Sequence, residues 1–425
     1  MLDIRFIREN PDVVRNGIHA KNEKGDVDLI LAKDEKRRSL IFEVEELKKK
    51  RNENSKLVSL YLKEKKDAGK IIQSTKNISE KIKKFDAQIA KLDLAIYAEL
   101  IKVPNMPHAS VPIGKDSSEN VEVKVWGEIP VFDFKILNHV ELGERLNILD
   151  FPRGGKVAGS GFPVYKGIGA TLERALINYM IDFHLKNHNY IEIFPPFMAN
   201  RDSMFGTGQL PKLTDDMYFI NKDDLFLIPT AEVPVTNLHR DEILNANELP
   251  IKYVAYSACF RREAGSYGRD TRGFLRVHQF NKVEMVNFVH PDKSEKIHEI
   301  MLAEATDILE ALNIPYRVLL LCSGDLSFAA AKCYDIETWS PAENKWLEAS
   351  SVSNFMDFQA RRANIRFRTE KGAKPQFVHT LNGSGLATSR LMVSLLENNQ
   401  TDEGTVMIPE VLIPYMHGKS IIKRL

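Results

Sequence analysis

The stretch of residues 28–101 restricts the fold of this chain more than any other feature of its sequence. It contains a single glycine, Gly69, and no proline, and Lys, Glu and Asp crowd the positions that are not apolar. These properties predict helix throughout. In the second half the apolar residues alternate in spacings of four and three, the pattern of a coiled-coil seam, at Ile78, Ile82, Phe85, Ile89, Leu92 and Ile96.

The first half of this stretch keeps the same apolar phase less strictly. Its seam positions are Leu40, Val44, Leu47, Val58 and Tyr61, with Arg51 and Asn54 interrupting them. Residues 67–70, Asp-Ala-Gly-Lys, offer a turn between the halves. We therefore predict an antiparallel helical hairpin. At about 1.5 Å per residue, two helices of about 35 residues would extend roughly 50 Å, far more than a compact core needs.

The rest of the chain has a different pattern. Three prolines within residues 103–112 prevent the helix from continuing, and the polar run at residues 114–120 predicts a surface loop. Strand-like runs and amphipathic stretches then alternate, for example at residues 190–194, 225–228, 282–288 and 172–185. We predict a mixed α and β body after the hairpin, and small helices in residues 1–27 before it.

The composition limits the class of protein. Of the 425 residues, 43% are hydrophobic, which is ample for a core and for about two or three domains. With 59 Lys and Arg against 58 Asp and Glu, the net charge is only +1. The chain as a whole is therefore not basic, and any basic surface must be a local patch. The three cysteines lack the even count and spacing of a disulfide framework. Early acidic residues and the lack of an uncharged apolar run of about 18 residues argue against export and membrane insertion, so we expect a cytoplasmic protein.

The common nucleotide-binding motifs are missing from this sequence. It has no Gly-xxxx-Gly-Lys-Ser/Thr, and residues 167–172 lack the third glycine of a dinucleotide fingerprint. The densest candidate is residues 259–284, which predict a strand, a glycine-rich loop and a second strand. In such a hairpin Arg261 could grip an anionic oxygen and Phe280 could present its face to a purine. Taken by itself, the segment is more typical of a charged surface hairpin.

Residues 259–284 resemble motif 2 of the class II aminoacyl-tRNA synthetases, in the form found in seryl-tRNA synthetases. Upstream, residues 172–185 and 190–196 resemble the helix and strand of motif 1, which build the dimer interface in this family. Downstream, residues 379–390, His-Thr-Leu-Asn-Gly-Ser-Gly-Leu-Ala-Thr-Ser-Arg, resemble motif 3. Further segments match the family in order, at residues 207–212, 228–234 and 348–354. With the hairpin, the resemblance covers nearly the whole chain.

This resemblance implies an α+β fold, in which a class II catalytic domain with a mainly antiparallel sheet flanked by helices follows a coiled-coil hairpin. The implied domains are a tRNA-binding domain at residues 1–103, a linker and surface loop at 104–120, and a catalytic and dimerisation domain at 121–425. The implied activity is ATP-dependent activation of L-serine to seryl-adenylate, with release of pyrophosphate, followed by transfer of serine to the 3′ end of tRNA(Ser).

The resemblance assigns catalytic roles to Arg261 on the α-phosphate, Glu263 on the adenine amino group and Arg390 on the γ-phosphate. Phe280 would stack beneath the adenine, with the Arg390 guanidinium above it. No protein nucleophile is needed, because positioning and charge neutralisation would carry the reaction. The alternatives are a surface salt bridge for Glu263 and ordinary core packing for Phe280.

Glu348 and Ser351 match the family pair that holds Mg²⁺ between the α- and β-phosphates, a task suited to hard oxygen ligands. A helix-cap role for Ser351 is the alternative. The complete set implied for ATP is Arg261, Arg262, Glu263, Phe280, Glu348, Ala349, Ser350, Ser351 and Arg390.

For the amino acid, the resemblance assigns Thr230 and Glu232 to the amino group, and Glu284 with Ser384 to the side-chain hydroxyl. A buried Glu284 without its hydroxyl partner would disfavour alanine strongly, whereas threonine would be excluded by pocket size. The complete set implied for serine is Thr230, Ala231, Glu232, Arg261, Glu284, Asn382 and Ser384.

Glu284 has an alternative that would weaken the serine assignment. It could form only a structural ion pair with Lys282 or Arg276.

In this family the hairpin grips the long variable arm of tRNA(Ser), and one subunit of the homodimer directs tRNA to the other. Residues 48–51, 63–66 and 81–84 place basic side chains outside the seam, where they could meet phosphates. For any single cluster a solvated helix face is the alternative. The family usually charges tRNA(Sec) as well. Two other functions compete: a paralogue that charges a carrier protein, which would lack the hairpin, and an inactive coiled-coil scaffold, which would have lost the site residues.

Overall fold

The computed structural model describes residues 1–264 and 272–424 of the chain. The chain divides into two compact units, Met1–Pro104 and Asn105–Leu425. The glycine-rich loop predicted inside residues 259–284 falls mainly at positions 265–271, outside the described residues.

The first unit is helical. Its helices are α1 (Ile4–Glu9), α2 (Pro11–Ala20), α3 (Val27–Lys63) and α4 (Gly69–Leu100). The Asp26 carboxylate accepts a hydrogen bond from the Leu29 N–H at 2.8 Å, which caps the first turn of α3. Asp67 accepts from the Gly69 N–H at 2.8 Å, just before α4. The long helical hairpin and the small helices before it are confirmed, and the 37 residues of α3 extend about 55 Å.

The two long helices pair antiparallel along the predicted seam. Lys33 of α3 pairs with Glu99 of α4 at 3.6 Å, and Arg37, one turn later, pairs with Asp93 at 2.9 Å, earlier in α4. Between these pairs and the turn lies an apolar cluster of Val44, Leu47, Ile78, Ile82, Phe85 and Ile89. Apolar burial along this seam stabilises the pairing of the two helices.

The second unit combines helices and strands. Its α-helices are α5 (His139–Arg145), α6 (Phe151–Ala158), α7 (Ile168–Asn187), α8 (Arg201–Gly206), α9 (Glu232–Thr236), α10 (Ser294–Ala311), α11 (Phe358–Ala363) and α12 (Thr388–Asn398). Short 3-10 helices lie at Ser117–Glu119, Thr214–Asp216, Asn237–His239, Ala246–Glu248, Pro291–Lys293 and Glu410–Met416. The helix predicted at residues 172–185 is confirmed as part of α7.

The strands of the second unit include those predicted from the sequence. They are β1 (Val121–Trp126), β2 (Ile191–Ile193), β3 (Met198–Asn200), β4 (Phe219–Ile220), β5 (Leu225–Leu227), β6 (Ile243–Asn245), β7 (Ile251–Phe260), β8 (Gln279–Val289), β9 (Tyr316–Leu320), β10 (Lys332–Ser340), β11 (Lys345–Asn354), β12 (Arg366–Arg368), β13 (Gln376–Phe377), β14 (His379–Ala387), β15 (Val406–Met407) and β16 (Ile421–Ile422). The runs at residues 190–194, 225–228 and 282–288 are confirmed as β2, β5 and β8.

Eight of these strands form the main sheet, in the order β1-β9-β10-β11-β14-β8-β7-β2. Neighbouring strands are antiparallel, except β2, which runs parallel to β7. The smaller sheets are β13-β12-β6, β3-β5-β4 and β15-β16. The predicted mainly antiparallel sheet with flanking helices is confirmed.

Helices α7 and α12 pack with the middle of the main sheet in one apolar core. Residues four apart lie on one face of a helix, and residues two apart lie on one face of a strand. The core accordingly contains Leu172, Leu176 and Met180 of α7, Leu391 and Leu395 of α12, and Val283 and Met285 of β8. The sequence order β14 then α12 therefore places the start of α12 at the end of a central strand.

Within the described ranges, no helix combines the length and apolarity needed to cross a bilayer. The three cysteines, Cys259, Cys322 and Cys333, are buried and carry no disulfide.

Candidate active site

A cavity of about 650 Å³ lies in the second unit and is lined by strands from the centre of the main sheet. Most of the residues predicted for ATP and serine line it: Thr230, Glu232, Arg261, Glu263, Phe280, Glu284, Glu348, Ala349, Ser350, Ser351, Asn382, Ser384 and Arg390. Two predicted residues do not. Ala231 is fully buried in the neighbouring apolar core, and Arg262 is exposed, with its N–H donating to the Asp216 carbonyl at 3.0 Å.

The register of the strands brings these side chains together. Phe280, Lys282 and Glu284 alternate along β8, so they project from one face of the sheet. On the neighbouring β14, Ser384 lies opposite Glu284. On the other side, Cys259 of β7 lies opposite Phe280, which places Arg261 just beyond the strand end. Three adjacent strands thus supply groups for both ends of one cavity.

One end of the cavity carries aromatic and guanidinium groups. The guanidinium carbon of Arg261 lies 5.1 Å from the centre of the Phe280 ring, a cation–π contact. Arg276 lies 2.5 Å from the Glu263 carboxylate. Glu263 therefore forms the salt bridge considered for it and also lines the cavity. Phe280 is half-buried, which leaves ring surface to the cavity.

Arg390, in the first turn of α12, is held by backbone and side-chain acceptors. Its guanidinium donates to the Glu348 carbonyl at 2.7 Å and to the Glu348 carboxylate at 3.1 Å. It also donates to the Leu275 carbonyl at 3.4 Å. These contacts link the helix to β11 and to the chain entering β8, and they hold the Arg390 guanidinium beside the cavity.

Glu348 and Ser351 of β11 line the cavity with oxygen atoms that could bind a metal. Asp335 lies opposite Ser351 on the neighbouring strand β10 and does not line the cavity. The Ser351 hydroxyl donates to Asp335 at 2.8 Å. Burial, and then the charge of Glu348, raise the pKa of Asp335 well above its ordinary value. No group of three His, Cys, Asp or Glu side chains suited to a metal occurs in the described ranges. The carboxylate and hydroxyl donors fit Mg²⁺, which takes few protein ligands and completes its shell with phosphate oxygens and water.

The other end of the cavity contains two buried carboxylates. Glu284 is 1% exposed, and its Oε1 accepts from the Asn382 side chain at 3.0 Å. The Lys282 ammonium lies 2.5 Å from Oε2 and forms an ion pair with it. The ion pair considered as an alternative is therefore present, but Glu284 also lines the cavity, so the pair does not remove it from a ligand's reach.

Glu232, at the start of α9, is the second buried carboxylate. Burial, and then the negative charge of Glu284, raise the pKa of Glu232 to about 7. The Glu232 N–H donates to the Thr230 hydroxyl at 3.2 Å, and Gln359 donates to Glu232 Oε1 at 2.6 Å. A ligand ammonium beside Glu232 would bring an opposite charge to this carboxylate and favour its ionised form.

Sequence reasoning missed two residues that contact the predicted set. Asp335 accepts a hydrogen bond from the Ser351 hydroxyl. Gln359 donates one to the Glu232 carboxylate. Neither lines the cavity nor lies near its partner in sequence, so no local motif could have found them. Asp335 and Glu337 both stand at polar positions of the alternating run in β10, so the pattern of this strand does not single out Asp335.

The sheet order, the hairpin β7–β8 and the strand–helix unit β14–α12 define the catalytic core of a class II aminoacyl-tRNA synthetase. Residues 218–399 match the family model of the tRNA synthetase class II core domain (G, H, P, S and T). Residues 1–107 match the model of the seryl-tRNA synthetase N-terminal domain. A serine–tRNA ligase of Chloroherpeton thalassium is 56% identical over 98% of this chain and 99% of its own length.

Solved structures agree with these matches. Seryl-tRNA synthetase of Pyrococcus horikoshii, complexed with ATP, superimposes with a TM-score of 0.95 and 37% identity over all of both chains. The cytoplasmic serine–tRNA ligase of Naegleria fowleri, in complex with AMP, has a TM-score of 0.90 and 30% identity over 100% of this chain and 99% of its own. The chain belongs to the seryl-tRNA synthetase family.

Proposed function

We propose that this chain is a serine–tRNA ligase, which uses ATP to activate L-serine and then transfers the serine to tRNA(Ser). The observation that carries the proposal is that Arg261, Phe280, Glu284 and Arg390 line one cavity. Family membership supports it independently, because a relative of that name is 56% identical over nearly the whole chain.

ATP occupies the end with Arg261, Phe280 and Arg390 in this proposal. The Phe280 ring takes the adenine, and Arg261 exchanges its contact with this ring for the α-phosphate. Glu263 accepts from the adenine amino group. Arg390, already beside Glu348, reaches toward the γ-phosphate. The ATP complex of the Pyrococcus horikoshii protein supports the choice of nucleotide.

Serine occupies the end with Glu232 and Glu284. Its ammonium lies beside Glu232 and Thr230, where its positive charge favours the ionised form of the Glu232 carboxylate. Its hydroxyl donates to Glu284, with Ser384 on the facing strand beside it. Asn382 holds the other oxygen of Glu284 in place. A buried carboxylate left without its hydroxyl partner is the physical basis for rejecting alanine.

The chemistry needs no protein nucleophile. The serine carboxylate attacks the α-phosphorus of ATP, the bond to the β-phosphate oxygen breaks, and pyrophosphate leaves. A hydroxyl of the 3′-terminal ribose of tRNA then attacks the acyl carbon, loses its proton, and AMP leaves. Arg261 and Arg390 neutralise phosphate charge at fixed positions. Glu348 and Ser351 would hold Mg²⁺, which supplies further charge neutralisation when bound.

The helical hairpin is the proposed tRNA-binding element. The first unit, which contains the hairpin, matches the N-terminal domain of seryl-tRNA synthetases. This match supports tRNA, and not a carrier protein, as the acceptor of serine. We extend the proposal to tRNA(Sec), to a homodimer joined through the segment that resembles motif 1, and to the cytoplasm. A cytoplasmic relative and three buried cysteines without disulfides support the last point.

Pyrophosphate exchange tests this function directly. Purified protein should exchange labelled pyrophosphate into ATP with serine, and far more slowly with threonine, alanine or glycine. Addition of tRNA(Ser), and separately tRNA(Sec), should give the charged product. Exchange that does not depend on serine would overturn the proposal, whereas exchange without tRNA charging would restrict it to the first step.

A further inference from the structure

Gln359 connects three parts of the second unit from a position outside the cavity. It lies on the short helix α11, and only 1% of its surface is exposed. Its amide nitrogen donates to Glu232 Oε1 at 2.6 Å and to the Thr207 carbonyl at 3.1 Å. Its amide oxygen accepts from the Thr380 hydroxyl at 2.7 Å. All polar atoms of this side chain are therefore satisfied by named partners.

The chemistry of these partners fixes which way the amide faces. A carbonyl oxygen can only accept, and so can an ionised carboxylate, so the side facing Thr207 and Glu232 must be the NH₂ group. The oxygen then faces Thr380, whose hydroxyl can donate. Rotation of the amide would set oxygen against oxygen at Glu232 and at Thr207. One orientation of Gln359 thus satisfies all three contacts.

Helix α11 also holds the segment that forms one wall of the cavity. The Arg362 guanidinium donates to the Phe205 carbonyl at 2.8 Å and to the Leu210 carbonyl at 2.7 Å. Thr207, Gly208 and Gln209 line the cavity between these two anchors. Gln359 therefore acts at the centre of a wall whose ends are already attached to the same helix.

We propose that Gln359 is a positioning residue that sets the affinity for the ammonium group of serine, by holding Glu232 and the 207–209 wall in one fixed arrangement. The proposal rests on the function proposed above and names a residue for it. With Oε1 of Glu232 occupied by the Gln359 amide, the other carboxylate oxygen is left for the ligand. Without the amide, the carboxylate can turn and the wall loses its central contact.

The charges around Glu232 give this arrangement a second consequence. Glu284 repels the Glu232 carboxylate, while Lys282 and Arg261 favour its ionised form. The hydrogen bond from Gln359 also favours the ionised form and opposes the burial that raises the pKa of Glu232 to about 7. Removing this donor raises that pKa further. The activity that depends on ionised Glu232 then appears only at higher pH.

Substitution of Gln359 by Met, which keeps the length of the side chain but removes its hydrogen bonds, tests the proposal. In pyrophosphate exchange we expect Gln359→Met to raise KM for serine by about 10- to 100-fold, with KM for ATP within about twofold of the unmodified protein. The acidic limb of kcat/KM for serine should move to higher pH. Gln376→Met, the same change at an exposed position on β13, should alter neither.

Equal changes in both KM values, or a loss confined to kcat with an unmoved pH profile, would overturn the proposal and leave Gln359 a structural residue. If Gln359→Met does not fold, Thr380→Val removes only the contact that orients the amide and should shift KM for serine in the same direction, less strongly. An unmodified protein without serine-dependent exchange would instead refute the proposed function itself, so the two failures are distinguishable.

Discussion

At the scale of single residues, the Lys282–Glu284 ion pair is compatible with the role proposed for Glu284 on the serine hydroxyl, although the two were alternatives at the level of the sequence. The ion pair is close, at 2.5 Å, and both residues are buried, so it contributes to the folded state. Glu284 also lines the cavity, where its carboxylate oxygens could accept from a substrate hydroxyl. The two roles differ in what they predict for alanine.

Replacement of Glu284 by Gln separates them. We expect kcat/KM for serine in pyrophosphate exchange to fall by at least about 100-fold, and kcat/KM for alanine to stay the same or rise, because alanine has no hydroxyl for Glu284 to bind and no longer leaves a buried carboxylate unsatisfied. Glu370→Gln, the same change at an exposed site, is the control. An equal loss for serine and alanine would mean that Glu284 serves only the ion pair.

Glu232 should make the stability of the protein depend on pH. Its pKa rises from 4.5 to about 7 in the folded protein, because of burial and the nearby charge of Glu284. Between these two values the unfolded chain releases this proton while the folded protein keeps it, so stability falls as pH rises. From pH 4.5 to pH 7 this group should remove about 3 kcal/mol from the free energy of unfolding.

Urea unfolding across this pH range, in the unmodified protein and in Glu232→Gln, measures the effect as a difference. The neutral amide does not titrate, so the stability of the variant should fall less steeply between pH 4.5 and 7. Parallel curves for the two proteins would show that folding does not raise the pKa of Glu232.

At the scale of elements, the helical hairpin carries a basic cleft that suits the proposed tRNA contact. A groove of about 470 Å³ lies between α3 and α4, here named the arm cleft, lined by Leu47, Lys50, Lys70, Gln73, Ser74, Asn77, Ile78 and Lys81. Ammonium groups and amides around a shallow groove match phosphates and ribose hydroxyls better than base edges, which favours recognition of shape.

The triple variant Lys50→Glu, Lys70→Glu and Lys81→Glu tests the arm cleft. We expect tRNA(Ser) to bind at least about 100-fold more weakly at 50 mM salt, and the slope of log affinity against log salt to fall by about two to three, since each lost phosphate contact removes about 0.7–0.9. Serine-dependent pyrophosphate exchange should not change. A triple change at Lys371, Lys374 and Lys419, all exposed in the second unit, is the control, and equal weakening there would contradict the assignment.

Helices and strands with a regular spacing of apolar residues, or with a recognisable motif, could be predicted from the sequence. Local departures from regular geometry within them, such as bulges, could not. The seam of the hairpin followed from spacing alone. Arg51 and Asn54, the polar residues that interrupt the seam, are partly buried in the structure. On β11 the register against β10 slips between Ile336 and Glu337, so Ala349 is an extra residue. This bulge lets consecutive residues 348–351 all line the cavity, which strict alternation would forbid.

Contacts between elements distant in sequence were the other part that the sequence could not supply. Gln359 and Glu232 are separated by 127 positions, and Asp335 reaches Ser351 only because β10 and β11 pair in one particular register. Resemblance to a motif identifies candidate ligand-facing residues, because these residues form part of the motif itself. Residues that position them are defined by the packing of the fold, which only coordinates reveal.

At the scale of the whole molecule, β2 at the edge of the main sheet leads into an apolar surface that the described chain leaves uncovered. Ile191 is 59% exposed, Phe194 is 75% exposed and Met198 is 47% exposed. Large apolar side chains exposed close together along the chain are typical of a surface that is buried against a partner. They lie in and directly after the segment that resembles motif 1, so a second copy of this chain is the partner we propose.

Charged substitutions on this surface should separate the subunits. Burying a glutamate without a partner costs far more than the apolar contact it replaces gains, so Ile191→Glu with Phe194→Glu should raise the dimer dissociation constant by at least about 100-fold. Sedimentation equilibrium should give twice 48.4 kDa for the unmodified protein and 48.4 kDa for the variant. Val131→Glu, at a valine that is 96% exposed elsewhere in the unit, should leave the dimer intact. A variant that still sediments as a dimer would exclude this edge as the interface, and a monomeric unmodified protein would exclude the dimer.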